Sequence, residues 1–110
     1  MKNKMTHYRQ GDVLVTAVAS LPSKLKPVAR EAGKIVLAHG EVTGHAHAIA
    51  EPDAELYTSD AEAGVTFLEV RAAMAALVHE EHATINLAAG TYRVTRQREY
   101  SPEAIRNVAD

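Results

Sequence analysis

Apolar and polar residues alternate in short runs along most of this chain, and turn residues separate the runs. A period of two places apolar side chains on one face of an extended segment, which is typical of β-strands. Short runs rich in apolar and β-branched residues also predict strands, and they lie at residues 13–18, 34–38, 65–70 and 84–87. Short strands at this spacing predict a mainly β fold, a small antiparallel barrel or sandwich.

Turn residues predict how these strands pair. Gln10-Gly11-Asp12 predicts a turn before the β-branched strand at 13–18. A glycine-containing loop at 39–44 leads into a strand at 45–50, which predicts a hairpin with the strand that precedes the loop. A second hairpin is predicted within residues 54–70, around an acidic turn.

One of the two later segments allows more than one interpretation. Residues 72–79 contain alanines that favour a helix, but their brevity and the neighbouring strands favour an extended segment. Ala88-Ala89-Gly90 predicts a turn between a strand at 84–87 and a strand at 90–100.

The C-terminal residues carry the clearest helix start in the sequence. Ser101 is a good N-cap, Pro102 suits the first helical position, and Glu103 favours the positive end of the helix dipole. We therefore predict a short C-terminal helix over residues 101–110. The length of 110 residues predicts a single domain, 1–110.

The composition narrows the possible chemistry. The chain contains no cysteine, which excludes disulfides and thiolate ligands and leaves nitrogen and oxygen donors for any metal. The net charge of −2 argues against nucleic acid as a partner. No apolar run is long enough to span a membrane and no signal peptide is evident, so we expect a cytoplasmic protein. With only four tyrosines and one phenylalanine, the core is thin, and we expect a homo-oligomer.

Four of the six histidines fall in two tight clusters, His45-Ala46-His47 and His79-Glu80-Glu81-His82. Neutral imidazole is a common ligand for transition metals, and a carboxylate often completes such a site. Side chains alternate along a strand, so His45 and His47 share a face with the apolar Ile49, and we expect that face to point inward.

The second cluster can bring a third ligand from a distant part of the chain. His79 follows Leu77 inward if both lie on one strand, whereas His82 joins it only if the chain turns at Glu80-Glu81. The spacing is one residue too short for the H-E-x-x-H motif of zinc proteases. We therefore predict a site for one divalent metal ion (Zn, Fe, Mn or Ni) and leave open whether His79 or His82 binds it.

These residues resemble the cupin family. Its first motif combines a glycine, an H-x-H pair and a following glutamate, which correspond here to Gly40, His45, His47 and Glu51. Its second motif, a histidine followed by an asparagine four positions later, corresponds to His82 and Asn86. The resemblance covers residues 40–86 and implies a cupin-like β-barrel whose metal ligands are His45, His47, Glu51 and His82.

Two classes of function follow from these features. In the first, a metal ion with open coordination positions activates water or polarises a carbonyl, and the protein acts as an enzyme on a small-molecule ligand. In the second, the chain is a non-enzymatic β module that forms an oligomer, with its histidines at an interface. The motifs G-E-V-T-G-H-A-H, H-E-E-H and Q-R-E-Y also resemble those of small bacterial and phage-borne proteins, and this likeness implies no activity.

A third possibility concerns the last predicted strand. Tyr92, Arg96, Arg98 and Tyr100 share one of its faces and form a pattern that can hold RNA phosphates beside stacking rings. The acidic pI near 6.3 counts against this function. The alternative is that the arginines form ion pairs with nearby acidic residues.

Overall fold

The fold is that of a computed structural model, which describes residues 7–39 and 45–96. These residues form eight β-strands and no helix, so the prediction of a mainly β fold is confirmed. The predicted helix at 101–110 lies outside the described residues. The strands are β1 (His7–Gln10), β2 (Val13–Val18), β3 (Leu25–Pro27), β4 (Ile35–His39), β5 (Ala46–Ile49), β6 (Ala54–Ser59), β7 (Thr66–Val78) and β8 (Ile85–Arg96).

All the strand pairs are antiparallel, and the sheet curls into a half-barrel. The order along the sheet is β1-β2-β8-β7-β5-β4. One edge of β7 pairs with β8 along most of its length. The other edge pairs first with β6 and then, near its end, with β5. This shared edge brings the start of β5 close to the end of β7.

The predicted hairpins are confirmed. β4 pairs with β5, and β6 pairs with β7. The predicted turn at Gly11 joins two further paired strands, β1 and β2. Residues 72–78 are extended as part of β7, in agreement with the prediction of a strand there. No helix long and apolar enough to cross a membrane occurs in the described part of the chain.

The predicted turn at Ala88-Ala89-Gly90 is wrong. β8 runs through these residues without interruption, and Gly90 has a φ of 153°. The register of β7 against β8 shifts between Val70 and Met74, opposite this glycine. A glycine inside a strand often marks such a bulge, which bends the sheet and leaves the strand continuous.

Strand alternation places the core on the concave face of the sheet. Its largest fully buried side chains come from β2, β5, β7 and β8, and they are Val13, Val15, Ile49, Leu68, Leu77 and Leu87. Burial of one such side chain contributes about 2 kcal/mol to folding. Among the described residues, the buried polar side chains are Gln10 and His47, and they lie side by side at one end of this core.

Candidate metal centre

The two histidine clusters lie together in the folded chain. The register pairs Ile49 with Leu77 and Ala48 with Val78, and its continuation places His47 beside His79. The centroids of these two rings are 4.3 Å apart. The sequence prediction that histidines distant along the chain meet in space is therefore confirmed.

The remaining rings extend this contact into a cluster of four. The ring of His79 lies 5.8 Å from that of His45 and 4.8 Å from that of His82. The rings of His47 and His82 are stacked 6.1 Å apart. His79 therefore contacts each of the other three rings.

The strand β5 orients its histidine side chain as the alternation predicts. His47 and Ile49 are 2% and 0% exposed, whereas Ala46 and Ala48 on the other face are half-buried. His45 precedes the strand, and its side chain is 23% exposed. The first cluster thus runs from the rim of the half-barrel into its core.

A hydrogen bond that His47 donates to Gln10 fixes the tautomer of His47. The Gln10 side-chain amide donates to the backbone carbonyls of Leu77 and Ala83, at 2.9 and 3.0 Å. Its Oε1 therefore faces His47 Nδ1, at 2.8 Å, and an amide oxygen can only accept. His47 consequently carries its proton on Nδ1 and leaves the Nε2 lone pair available, as metal-binding histidines commonly do.

Asp12 lies on the other side of the His47 ring. Its Oδ1 is 3.7 Å from His47 Nε2, and its Oδ2 accepts a hydrogen bond of 2.9 Å from Arg96 Nε. Burial acts to raise the pKa of Asp12, but the hydrogen bond and charge of Arg96 outweigh it, so this pKa is lowered. Burial and the neighbouring His79 lower the pKa of His47 to about 4. At neutral pH a neutral imidazole therefore faces a carboxylate.

Gly11 lies directly against the rings of His82 and His47. A Cβ atom at this position would lie 2.8 Å from His82 Nε2 and 3.4 Å from His47 Cε1. The φ of Gly11 is +60°, a conformation that side chains other than glycine rarely adopt. The β1–β2 turn thus needs glycine both for its backbone and for the space that the imidazoles occupy.

Two carboxylates of the H-E-E-H segment bind the start of β5. Glu81 Oε2 lies 3.0 Å from His45 Nδ1, and Glu80 Oε1 accepts a 3.0 Å hydrogen bond from the Ala46 amide. The bond to Ala46 lowers the pKa of Glu80. A carboxylate on Nδ1 leaves the Nε2 lone pair of neutral His45 free, so both histidines of the H-x-H pair present Nε2 to a ligand.

His79 has the opposite hydrogen-bonding arrangement. Its Nδ1 accepts a 3.0 Å hydrogen bond from the Glu81 amide, which places the proton of the neutral ring on Nε2. Coordination of a metal through Nδ1 requires this bond to break, at a net cost of about 1 kcal/mol. His79 thus lies close to the other donor groups, but the Glu81 amide occupies its Nδ1 lone pair.

Three donor groups converge at the rim of the cluster. One ligand atom each from His45, His79 and Glu80 lies within 4.8 Å of the others. A tetrahedral ion with bonds of about 2.1 Å holds its ligand atoms roughly 3.4 Å apart, so these atoms have to approach by up to roughly 1.4 Å. A shift of this size lies within the reach of side-chain rotation.

Glu51, the carboxylate implied by the cupin resemblance, does not belong to this group of donor atoms. It lies four residues beyond His47, which corresponds to about 13 Å along an extended chain. Its backbone carbonyl accepts a hydrogen bond from Arg30, and its buried Oε1 has no hydrogen-bond partner among the described residues.

Sequence reasoning did not single out Gln10, Gly11 or Asp12 as residues of the site. The sequence predicted a turn here, and that turn is present. Its position beneath the histidines depends on contacts such as that of Gln10 with Leu77, which is 67 residues away along the chain. A sequence pattern among neighbouring residues does not predict a contact between residues this far apart in the chain.

The predicted cationic face on β8 has an acidic partner. Tyr92 and Val94 are buried as expected, and Arg96 beyond them binds Asp12 and the backbone carbonyl of His39. Arg98 and Tyr100 lie outside the described residues. The remaining two histidines are separate from the cluster: His7 contacts Thr16, and His39 contacts Glu31.

Comparison with known proteins identifies the family. Residues 9–97 match a domain of unknown function, DUF8820, and the chain belongs to this family. No curated protein and no solved structure matches the chain. The matched range includes both histidine clusters and the β1–β2 turn beneath them.

Proposed function

We propose that this protein binds a divalent transition-metal ion at the rim of the histidine cluster, through His45, His79 and Glu80. The observation that carries the proposal is the convergence of their ligand atoms within 4.8 Å. Imidazole and carboxylate donors suit Zn, Fe, Mn and Ni, and the donor types do not choose among these metals. The proposal retains His45 of the cupin resemblance and takes its carboxylate from Glu80 in place of Glu51.

The exposure of one of the three proposed ligands supports a role beyond structure. Three protein ligands leave coordination positions open, which is the pattern of catalytic metal sites, whereas structural zinc sites are closed by four ligands. Glu80 is exposed, so a small molecule can approach the ion from solvent. A metal in this setting lowers the pKa of bound water or polarises a bound carbonyl. We therefore propose a metal-dependent reaction on a small molecule.

Metal content is the direct test. Protein produced without a histidine tag is incubated with Zn, Fe, Mn and Ni in turn, dialysed, and analysed by mass spectrometry for metals. We expect at least one tightly bound ion per chain for one of these metals. His45→Ala should weaken binding by about 100-fold or more, because changes outside the ligand sphere already cost 10–100-fold.

His7→Ala and His39→Ala are matched controls, since these histidines lie outside the cluster. Both variants should retain the affinity of the wild type. An absence of bound metal in the wild type, or equal losses in all three variants, would contradict the proposal.

A second function, assembly into a homodimer, is favoured by the outer face of the sheet. Met74 and Val78 on this face are 51% and 48% exposed. Val78 lines an apolar groove, together with alanines of β5, that has Lys34 at its wall and Glu80 beside it. In this alternative Glu80 is not a metal ligand: a two-fold axis through the groove can set Lys34 of one copy against Glu80 of the other, so the occupant we propose is a second copy of this chain.

Sedimentation velocity tests this assembly. We expect a dimer for the wild type and a monomer for Val78→Asp, because a buried unpaired charge opposes association. Lys26→Asp changes an exposed charge on another part of the surface and should leave the dimer intact. A monomeric wild type at the highest concentration reached would rule out this second function.

A further inference from the structure

We infer that His47 Nε2 and Asp12 Oδ1 form a second cation position, deeper in the half-barrel than the first. The inference rests on the proposed function, because it extends the same histidine cluster. Neither residue belongs to the group of donor atoms formed by His45, His79 and Glu80. The two sets of donors are nevertheless neighbours, since the rings of His47 and His79 are 4.3 Å apart.

The hydrogen bonds around His47 leave a gap between two acceptors. Gln10 holds the proton of His47 on Nδ1, so Nε2 presents a lone pair. Asp12 presents a carboxylate oxygen to the same space, and this oxygen lies 3.7 Å from Nε2. Two acceptors that face each other gain nothing without a positive charge between them. A hydrogen bond does not fill this role, because the gap exceeds hydrogen-bond length.

The width of the gap fits a coordinated ion. An ion with bonds of about 2.1 Å to both atoms spans roughly 3.4 Å at a tetrahedral angle and roughly 4.2 Å in a straight line. The observed 3.7 Å lies between these limits, so the separation of the two donors already suits an ion. The first position, by contrast, needs its donors to approach one another.

Both donors of this second position are held by other residues. Gln10 orients His47 through its bonds to the backbone of β7 and of the following bend. Arg96 binds the far oxygen of Asp12 and leaves Oδ1 directed at the imidazole. His82 packs against Gly11, the residue next to Asp12, and its ring is stacked on that of His47. Supporting contacts of this kind are typical of metal ligands.

The number of ions per chain tests the inference. Tag-free protein is titrated with Zn²⁺, and the stoichiometry is measured by calorimetry and by metal analysis after dialysis. We expect two ions per chain in the wild type and one ion in Asp12→Asn. Glu80→Gln should also retain one ion, the deeper one. Asp60→Asn is the matched control, since this exposed aspartate pairs with Lys26, and it should retain two ions.

The alternative outcomes separate the two proposals. One ion in the wild type that survives Asp12→Asn and is lost in Glu80→Gln overturns the second position and leaves the proposed function intact. One ion that is lost in both variants means that a single shared ion occupies the cluster, which also overturns the second position. No ion in the wild type overturns both proposals. The wild-type count alone is decisive if a variant fails to fold.

Discussion

The H-x-H strand and the H-E-E-H bend hold their histidines in different ways. On the strand side, His45 and His47 each have Nδ1 beside an oxygen acceptor and leave Nε2 for a ligand. In the bend, His79 accepts an amide hydrogen on Nδ1, and His82 is exposed and packs against Gly11. On the strand, side-chain contacts thus leave histidine lone pairs free for a cation. In the bend, only the path of the chain brings the histidines close to the same space.

This difference indicates which part of the site changes when an ion enters. The strand donors already have free lone pairs, so they need little rearrangement. The bend has to release the bond between His79 and the Glu81 amide before His79 coordinates a metal through Nδ1. We therefore expect ion binding to alter residues 79–82 more than residues 45–49. The following predictions test this contrast, beginning with the largest effect.

Removal of the Gln10 amide should have the largest effect. Gln10→Met leaves the carbonyls of Leu77 and Ala83 and the Nδ1–H of His47 without their partner. Each unpaired buried group costs about 1–3 kcal/mol, so the free energy of unfolding should fall by about 4 kcal/mol. Urea unfolding of the metal-free variant measures this loss. A loss below about 1 kcal/mol would show that Gln10 does not organise the strand side.

The metal-free protein should become less stable as the pH falls from about 6.5 to about 4. His47 has a pKa of about 4 in the folded state, against 6.5 for the free side chain, so the unfolded chain binds the proton first. Stability is therefore greatest above pH 6.5, declines through this window and levels off for this residue below pH 4. The shift corresponds to about 3 kcal/mol.

Urea unfolding across this pH range, in the presence of a chelator, checks the prediction. Other groups also titrate there, so the informative quantity is the difference between the wild type and His47→Gln. We expect the variant to lose most of the pH dependence. The same slope in both proteins would mean that His47 is not held neutral by its surroundings.

Gly11→Ala should disturb the contact between the two clusters. A left-handed φ costs a non-glycine residue about 1–2 kcal/mol, and the added Cβ would also displace His82. Gly64→Ala is a matched control, because Gly64 has a φ of +79° and open space around the added atom. Both variants should lose about 1–2 kcal/mol of stability, but only Gly11→Ala should weaken Zn²⁺ binding, by about 10-fold or more. Equal affinities in the two variants would contradict the arrangement described here.

The smallest effect is expected for Glu81→Gln at the rim. The pair of Glu81 with His45 is exposed to solvent, with 58% of the Glu81 side chain accessible. Exposed ion pairs contribute about 0–1 kcal/mol, so unfolding of the metal-free protein should change by less than about 0.5 kcal/mol. Chemical denaturation of this variant beside Gln10→Met measures the contrast. A loss as large as that of Gln10→Met would show that the rim is as rigid as the buried side.

The strand pattern made part of this arrangement predictable. Alternation along residues 45–49 identified the face that carries His47 into the core, because burial on a strand follows a period of two. The neighbouring strands also favoured the extended form of residues 72–78 over a helix. Gly90 was misjudged because glycine marks turns and bulges alike, and only the pairing of β7 with β8 distinguishes them.

The rest of the site depends on contacts between distant residues. Asp12 meets Arg96 across 84 positions of the chain, and Gln10 meets His47 across 37. Spacing along the sequence does not encode such pairs, so Asp12 looked like any surface carboxylate. The sequence left a turn at Glu80-Glu81 open. In the structure the chain bends there, and Glu80 is exposed but also binds the Ala46 amide.

The most direct test of the central claim is an anomalous diffraction map from crystals of the tag-free protein grown with Zn²⁺. We predict a zinc peak about 2.1 Å from an imidazole nitrogen of each cluster, one from the strand and one from the bend. Zinc bound only at His7 or His39, or the absence of any zinc ion with ligands from both clusters, would contradict the claim that the two clusters meet around a cation.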